Sequence, residues 1–203
     1  ITELADGRYI LDMGQNMVGW LHTANLKGKK DQPVSFRFAE LLNPDSTLYL
    51  ANLRGAKVTD RYIPSADGTF DWEPSFVYHG FRFVEISGLT EKPELQYFTG
   101  KVIYDQMETT GQFETNDTII NQTFKNAYWG IRGNYRGMPT DCPQRDERQG
   151  WLGDRATGCF GEAFVFNNAH LYAKWLQDIE DSQSPEGSIS VVSPRYWTIY
   201  NDD

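Results

Sequence analysis

The sequence has few of the side chains that bind metals or cross-link a fold. Its 203 residues include two cysteines and three histidines, and no pair of them lies at the spacing of zinc ligands. Cys142 and Cys159 supply neither a disulfide framework nor a complete zinc site by themselves. We therefore expect no metal ion and no cofactor.

Long apolar runs and an excess of positive charge are also missing. No apolar run approaches the roughly 18 residues that a membrane-spanning helix needs. Nineteen basic residues stand against 28 acidic ones, for a formal net charge of −9, whereas nucleic acids and anionic membranes select clustered lysine and arginine. We expect neither as a partner. The sequence is 39% hydrophobic and 14% aromatic, which is typical of a soluble globular protein with a packed core.

Residues 1–104 show the pattern of short β-strands. Runs rich in valine, isoleucine and aromatic residues alternate with turn-forming residues, one of the predicted turns being Asp12–Gly14. Val34, Phe36 and Phe38 alternate with polar neighbours, which indicates a strand with one buried face. Residues 81–86 alternate less cleanly, with two apolar residues and one charged residue on each face, which suits a strand covered on both sides. This segment is predicted to be an antiparallel two-sheet β-sandwich of jelly-roll or related topology.

Residues 105–203 change to a helical period. Asn116 or Asp117 is expected to cap a first helix that ends at Gly133. After a loop from Met138 to about Asp154, helical spacing resumes, breaks near Asn167 and continues to about residue 182. The predicted apolar faces consist of Ile120, Phe124, Ala127, Tyr128 and Ile131, then Phe160, Ala163, Phe164 and Val165, then Leu171, Trp175 and Ile179.

The order of strands and helices predicts two domains, residues 1–104 and 105–203. About three helices, two of them with aromatic stripes, would leave much apolar surface uncovered, so the second domain is interpreted as the beginning of a larger all-α domain. The chain opens without methionine or a leader and stops without a helix end. Both ends therefore resemble interior points of a longer protein, and they predict no compartment.

The densest group of reactive side chains lies between the first two predicted helices, in Pro139–Asp154. It combines four carboxylates with two arginines and a tryptophan: Asp141, Asp146, Glu147, Asp154, Arg145, Arg148 and Trp151. A sugar-cleaving pocket needs such a set, because one carboxyl must protonate a leaving oxygen while the others and an arginine bind hydroxyl groups. The indole can stack on the C–H face of the ring. The alternative is a solvated loop with local ion pairs, but Met138, Cys142 and Trp151 are unusual in such loops.

The stretch PTDCPQRDERQGWLGD, residues 139–154, resembles the signature of bacterial α-L-rhamnosidases, the glycoside hydrolases of family 78. Further segments resemble the same family in order: Asp12–Trp20, Arg37–Leu42, Asn52–Ala56, Tyr78–Val84 and Lys174–Asp178. The resemblance implies a concanavalin-like β-sandwich followed by the start of an (α/α)6 toroid. It also implies that Glu147 is the general acid that releases terminal α-L-rhamnose from glycosides or polysaccharides. By the same resemblance, the rhamnosyl ring is held by Asp141, Arg145, Trp151 and Asp154.

The family hydrolyses with inversion, which requires a second carboxylate as general base. The resemblance implies that this base lies downstream of the chain, since Glu162, Glu180 and Glu186 match no base motif. The chain is thus expected to carry the acid without the base. A catalytically incomplete carbohydrate-binding or scaffold fragment remains the alternative.

Several other residues have a structural and a functional interpretation. His79 is expected to be a structural histidine at a strand end rather than a site residue. Cys142 is expected to be a buried packing thiol, because no histidine lies nearby to activate it as a nucleophile. Trp20, Trp72 and Tyr78 could form a sugar platform, although core packing explains them as well or better.

Overall fold

The computed structural model describes residues 1–195, so the last eight residues of the predicted second domain lie outside the described residues. The chain divides into two compact units. We call the first the β unit; it comprises residues 1–103 together with 144–146. The second, the helical unit, comprises residues 104–143 and continues from 147. Antiparallel strands followed by helices confirm the predicted order of the two structural classes.

The β unit is built on antiparallel strands. They are β1 (Thr2–Glu3), β2 (Tyr9–Gly28), β3 (Val34–Ala39), β4 (Leu41–Leu42), β5 (Leu48–Tyr49), β6 (Thr59–Tyr62), β7 (Gly68–Trp72), β8 (His79–Ser87) and β9 (Phe98–Val102). Seven of them form one sheet in the order β1-β2-β8-β3-β6, with β7 and β9 also paired to β2. Short 3-10 turns occupy Ala51–Leu53 and Leu95–Tyr97. Strand β2 is therefore the centre of the unit, since four other strands pair with it.

Strand β2 is 20 residues long and irregular. Its pairing with β8 shifts register between Asp12 and Met17, and its pairing with β7 shifts between Thr23 and Leu26. The turn predicted at Asp12–Gly14 was expected to end a strand, and this prediction is wrong because β2 continues through these residues. Gly14 adopts a left-handed φ of 75° and donates its N–H to Asp12 Oδ1 at 2.8 Å. The turn-forming residues thus produce a bulge within the strand instead of ending it.

The core of the β unit follows the alternation of β3 and the two-sided burial of β8. Val34, Phe36 and Phe38 are at most 1% exposed, which confirms the buried face. In β8, Val84 and Ile86 are fully buried on one face. On the other face Phe83 packs against a second cluster around Ile10, Ala39 and Leu48, and Glu85 forms an ion pair with Arg8. Both faces of β8 are therefore covered, as predicted.

Two of the ambiguous aromatic residues of the β unit contribute to its packing. His79 is 3% exposed, stacks on Phe38 and places Nε2 3.0 Å from Asp60 Oδ1. Trp72 stacks on Phe36 with ring centroids 5.6 Å apart. These contacts support the structural interpretation of both residues.

The helical unit contains α1 (Thr118–Gly133), α2 (Leu152–Ala163) and α3 (Ala169–Asp181). The predicted cap of α1 is Asp117, whose Oδ1 accepts the N–H groups of Ile119 at 2.8 Å and Ile120 at 3.2 Å. Two of the four amides left unpaired at a helix start are thereby satisfied. The unit's core consists of Tyr135, Val165, Phe166 and Leu171, with Met107, Phe124, Tyr128 and Ile131 packed against it.

Helix α2 begins earlier than the sequence pattern suggests. The loop was expected to extend to about Asp154, whereas the helix starts at Leu152 and Asp154 lies in its first turn. Gly153, Gly158 and Gly161 interrupt the apolar spacing of α2 and weaken its helical signal. Among the described residues, no helix combines the length and apolar character needed to cross a membrane.

Candidate active site

The charged segment between α1 and α2 is closed into a loop by its own backbone. Asp141 N donates to Gln149 O at 2.9 Å, and Gln149 N donates to Asp141 Oδ1 at 2.7 Å. Inside this loop, Arg148 N donates to the buried Cys142 Sγ at 3.3 Å, and Arg148 itself has a left-handed φ of 56°. Cys142 is thus a buried thiol that accepts a backbone hydrogen bond, which supports its structural interpretation. We call residues 141–149 the carboxylate loop.

The carboxylate loop brings two acidic side chains together. One ligand atom from each of Asp141, Cys142 and Glu147 lies within 4.8 Å of the other two. Asp141 and Glu147 are both half-buried, so their carboxyl groups face a common, partly desolvated space. Two such groups can divide roles, one donating a proton and the other accepting hydrogen bonds from a ligand. Acidic groups this close are common without a metal ion, and we assign none to them.

The residues that follow the carboxylate loop are held by a second segment of the helical unit. Trp151 and Val192 form an antiparallel bridge, flanked by Ser193 N to Gly150 O at 2.9 Å and Leu152 N to Val191 O at 3.1 Å. A Cβ on Gly150 would lie 2.1 Å from Ser193 O, so this close approach requires glycine. The backbone of residues 150–152 is therefore fixed from outside the loop.

Trp151 and Asp154 lie at the start of α2. Trp151 is the half-buried residue that precedes the helix, and Asp154 is an exposed side chain in its first turn. The positive end of a helix dipole stabilises a carboxylate at this position. Asp154 therefore projects from the backbone of a regular helix and not from the preceding loop.

Arg145 and its neighbours belong to a different unit. Residues 144–146 cluster with the β unit, where Asp146 Oδ2 accepts the N–H of Gly55 at 3.0 Å. Among the predicted site residues, Asp141 and Glu147 are thus brought together, and Trp151 and Asp154 belong to the same unit. Arg145 is assigned to the β unit.

Glu162, one of the carboxylates weighed as a general base, is instead the centre of a buried network. It is 4% exposed, and its Oε2 accepts the hydroxyl groups of Tyr172, at 2.7 Å, and Tyr135. Its Oε1 forms an ion pair with Arg155. Burial raises the pKa of both tyrosine hydroxyls far above the ordinary value for tyrosine, and the hydrogen bond to Glu162 raises this pKa further. A carboxylate with both oxygens engaged in this way is poorly placed to activate water.

Arg155 and Tyr172 are not among the site residues predicted from the sequence. A signal was present, since Arg155 and Glu162 are seven residues apart and so lie on one face of α2, two turns from each other. A cation and an anion on the inner face of a helix indicate a buried pair. The tyrosine partners come from outside α2, so sequence spacing alone could not identify them.

Comparisons with known proteins match both units. Residues 2–104 match the family described as the bacterial alpha-L-rhamnosidase concanavalin-like domain. Residues 108–203 match the bacterial alpha-L-rhamnosidase 6 hairpin glycosidase domain. Together these matches account for nearly the whole chain.

Individual relatives agree with the family matches. An alpha-L-rhamnosidase from Streptomyces avermitilis is 41% identical over 201 residues, which is 99% of this chain and 19% of the relative. The structure of Streptomyces avermitilis alpha-L-rhamnosidase complexed with L-rhamnose superposes with a TM-score of 0.93 at 41% identity, covering 98% of this chain and 19% of that one. The alpha-L-rhamnosidase from Dictyoglumus thermophilum gives a TM-score of 0.92 at 41% identity, covering 96% and 22%.

The chain thus spans about a fifth of the length of the curated relatives it matches. The match to the concanavalin-like domain alone covers half of the chain, and relatives and solved structures point to the same group. This chain belongs to the bacterial α-L-rhamnosidase family.

Proposed function

We propose that this chain is part of an inverting α-L-rhamnosidase that releases terminal, non-reducing α-L-rhamnose from glycosides or polysaccharides. In this proposal residues 1–104 are the concanavalin-like β-sandwich, and residues 105–203 are the first part of the (α/α)6 catalytic toroid. Membership of the family in both parts supports this assignment, as does the relative crystallised with L-rhamnose. The observation that carries the proposal is the pair of half-buried carboxyl groups, Asp141 and Glu147, within 4.8 Å of each other.

Glu147 is the general acid in this mechanism. It protonates the glycosidic oxygen as the bond to the rhamnosyl carbon breaks, through an oxocarbenium-like transition state. Asp141, Arg145 and Asp154 bind the hydroxyl groups of the ring, and Trp151 packs against its C–H face. Asp141 suits this binding role because Gln149 N already fixes one of its oxygens.

The separation of the two carboxyl groups bears on the second half of the mechanism. An inverting acid and base stand about 6.5–9.5 Å apart to leave room for water, whereas a retaining pair stands about 5–5.5 Å apart. Asp141 and Glu147, within 4.8 Å, are too close to be the inverting pair. Glu162 is engaged in its own network. The general base is therefore proposed to come from outside these 203 residues.

The test of the stereochemical proposal is proton NMR of the anomeric region during hydrolysis of an aryl α-L-rhamnoside. The complete enzyme is expected to release β-rhamnose first, and the isolated chain is expected to show no turnover. Release of α-rhamnose first would make Asp141 a nucleophile and would contradict inversion. If the isolated chain binds rhamnose without hydrolysing the rhamnoside, it is a catalytically incomplete, carbohydrate-binding fragment, which is the alternative interpretation.

Glu147→Gln tests the role of the acid. In the complete enzyme this change is expected to lower kcat on an alkyl rhamnoside by about 10²–10⁴-fold, because an alkoxide leaving group needs the proton. An aryl rhamnoside with a weakly basic leaving group should be largely spared. Glu186→Gln, which changes an exposed carboxylate outside the carboxylate loop, is the matched control and should have no effect. An equal loss on both substrates, accompanied by weaker binding, would contradict the assigned role.

Trp151→Ala tests the stacking contact. It is expected to weaken rhamnose affinity in the complete enzyme by about 1–3 kcal/mol, the scale of a buried aromatic contact. The backbone bridge between Trp151 and Val192 does not depend on the indole, so the fold should persist. Isothermal titration with rhamnose measures the change. Unchanged affinity would show that Trp151 only packs within the protein.

A further inference from the structure

One buried group of the helical unit has no part in the proposed chemistry. It consists of Arg155 and Glu162 on α2 with the hydroxyl groups of Tyr135 and Tyr172. The side chains of Arg155 and Glu162 are 12% and 5% exposed. Burying two charges costs free energy, and hydrogen bonds from the pair to further groups offset part of that cost. The partners of Arg155 beyond Glu162 therefore indicate what the pair does.

Arg155 reaches the backbone immediately before the carboxylate loop. Its Nη1 pairs with Glu162 while its Nη2 donates to the carbonyl oxygen of Thr140. A guanidinium can make both contacts at once because its donors form a rigid, planar fork. A lysine ammonium in the same place could bind the Glu162 carboxylate or the Thr140 carbonyl. It has no second nitrogen at a fixed angle with which to bind the other group.

Thr140 is thus held from two sides. Its N–H donates to Asn134 O at 2.7 Å, and its hydroxyl donates to the same oxygen at 3.0 Å. Its carbonyl accepts from Arg155, and the residue is 2% exposed. The next residue is Asp141, whose backbone and side chain close the carboxylate loop against Gln149.

The Glu162 end of the ion pair is also held by hydrogen bonds. Tyr172 OH donates to Glu162 at 2.7 Å, and Asn168 Nδ2 donates to Tyr135 OH at 3.3 Å. These contacts orient the Glu162 carboxylate, which in turn orients the guanidinium. A chain of contacts therefore runs from Tyr172 on α3 and from Tyr135, just after α1, through Glu162 and Arg155, to the peptide that precedes the carboxylate loop.

We propose that Arg155 and Glu162 are positioning residues: the guanidinium, held by Glu162, fixes the Thr140 carbonyl and so sets the position from which Glu147 reaches the glycosidic oxygen. This inference rests on the proposed role of Glu147 as general acid. Neither residue touches the sugar. Their effect is on how accurately the acid reaches the glycosidic oxygen, and misplacement by about 1 Å costs on the order of 100-fold in rate.

Arg155→Lys in the complete enzyme is the principal test. It keeps the charge and the attraction to Glu162 but loses the fork that holds Thr140. We expect kcat on methyl α-L-rhamnoside to fall by about 10- to 100-fold with KM nearly unchanged. On 4-nitrophenyl α-L-rhamnoside, whose leaving group needs little protonation, the loss should be less than about threefold.

Arg82→Lys is the matched control. It makes the same replacement at a guanidinium that donates two hydrogen bonds to Asp12 in the β unit and leaves the contact between Arg155 and Thr140 in place, so the ratio of the two substrates should stay at the wild-type value. Should Arg155→Lys yield no folded enzyme, Glu162→Gln replaces it, with the same selective loss expected. A ratio that is unchanged, or an equal loss on both substrates, would make the network a purely structural element and overturn the inference.

Glu147→Gln, measured on the same two substrates, separates this inference from the proposed function. If Glu147→Gln is selective for the alkyl rhamnoside and Arg155→Lys is not, only the positioning role falls. If Glu147→Gln shows no selectivity, the general-acid assignment fails, and the positioning role fails with it.

Discussion

Replacing Gly150 by alanine tests how the backbone after the carboxylate loop is held. A Cβ at this position would lie 2.1 Å from Ser193 O and 3.1 Å from Trp175 Nε1. Interiors are packed too densely to absorb the first contact, so one of the two segments must move by about 1 Å. Gly150 is buried and Ser193 is 1% exposed, which means that the movement cannot simply be directed into solvent.

The cost can be worked out from the bonds that this movement breaks. They are Ser193 N to Gly150 O at 2.9 Å and Trp175 Nε1 to Ser193 O at 2.7 Å. Each is worth about 1 kcal/mol net, and a buried donor left without a partner costs about 1–3 kcal/mol. We therefore expect Gly150→Ala to lower the free energy of unfolding of the helical unit by about 2–4 kcal/mol.

Urea unfolding followed by tryptophan fluorescence measures this loss, because Trp151 and Trp175 both lie at the perturbed contact. Gly130→Ala is the control: Gly130 is within α1, and a Cβ there meets no heavy atom within 4 Å. Alanine is the better helix former by about 1 kcal/mol, so the control should be slightly stabilised. If Gly150→Ala were as stable as the control, the close approach of Gly150 to Ser193 would not constrain the backbone after the loop, and the predicted loss of stability would be contradicted.

Two further predictions concern the helical unit. Asp117→Ala removes the side-chain acceptor of two amides at the start of α1 and should cost about 1 kcal/mol in urea unfolding, whereas Asp117→Asn should cost much less. Burial and the bond to Glu162 raise the pKa of Tyr172 in the folded state, so the unfolded chain releases that proton first as the pH rises above about 10. Stability should therefore decline above this pH, and Tyr172→Phe should reduce the decline in thermal melts recorded between about pH 8 and 11.

Local signals in the sequence were enough to predict several elements. The cap at Asp117 and the end of α1 at Gly133 depend on residues within one turn of the helix boundary. The buried face of β3 depends only on alternation. Such features can be read from sequence because the interactions that decide them are between near neighbours.

Features decided by distant contacts could not be read in the same way. Strand β2 runs on through Asp12–Gly14 because β8 pairs with it on both sides of the irregularity. On sequence grounds Glu162 was among the candidate bases. The tyrosines that engage its carboxylate, Tyr135 and Tyr172, come from other parts of the chain and could not be identified from its neighbours. The pairing of Asp141 with Glu147 was suggested by composition, but the backbone bonds that bring them together depend on Gln149.

Buried contacts hold the backbone on both sides of the carboxylate loop. Thr140, just before the loop, is held by Arg155, and Gly150, just after it, lies in close contact with Ser193. Both anchors are held by specific hydrogen bonds and close contacts, so a change at either is transmitted to the acidic side chains between them. Changes at the anchors should therefore alter the rate of the chemical step more than affinity for the sugar, whereas Trp151→Ala should do the reverse. That contrast follows from the proposed roles: the anchors would set the position of the acid, and the indole would contact the ring that the acid must reach.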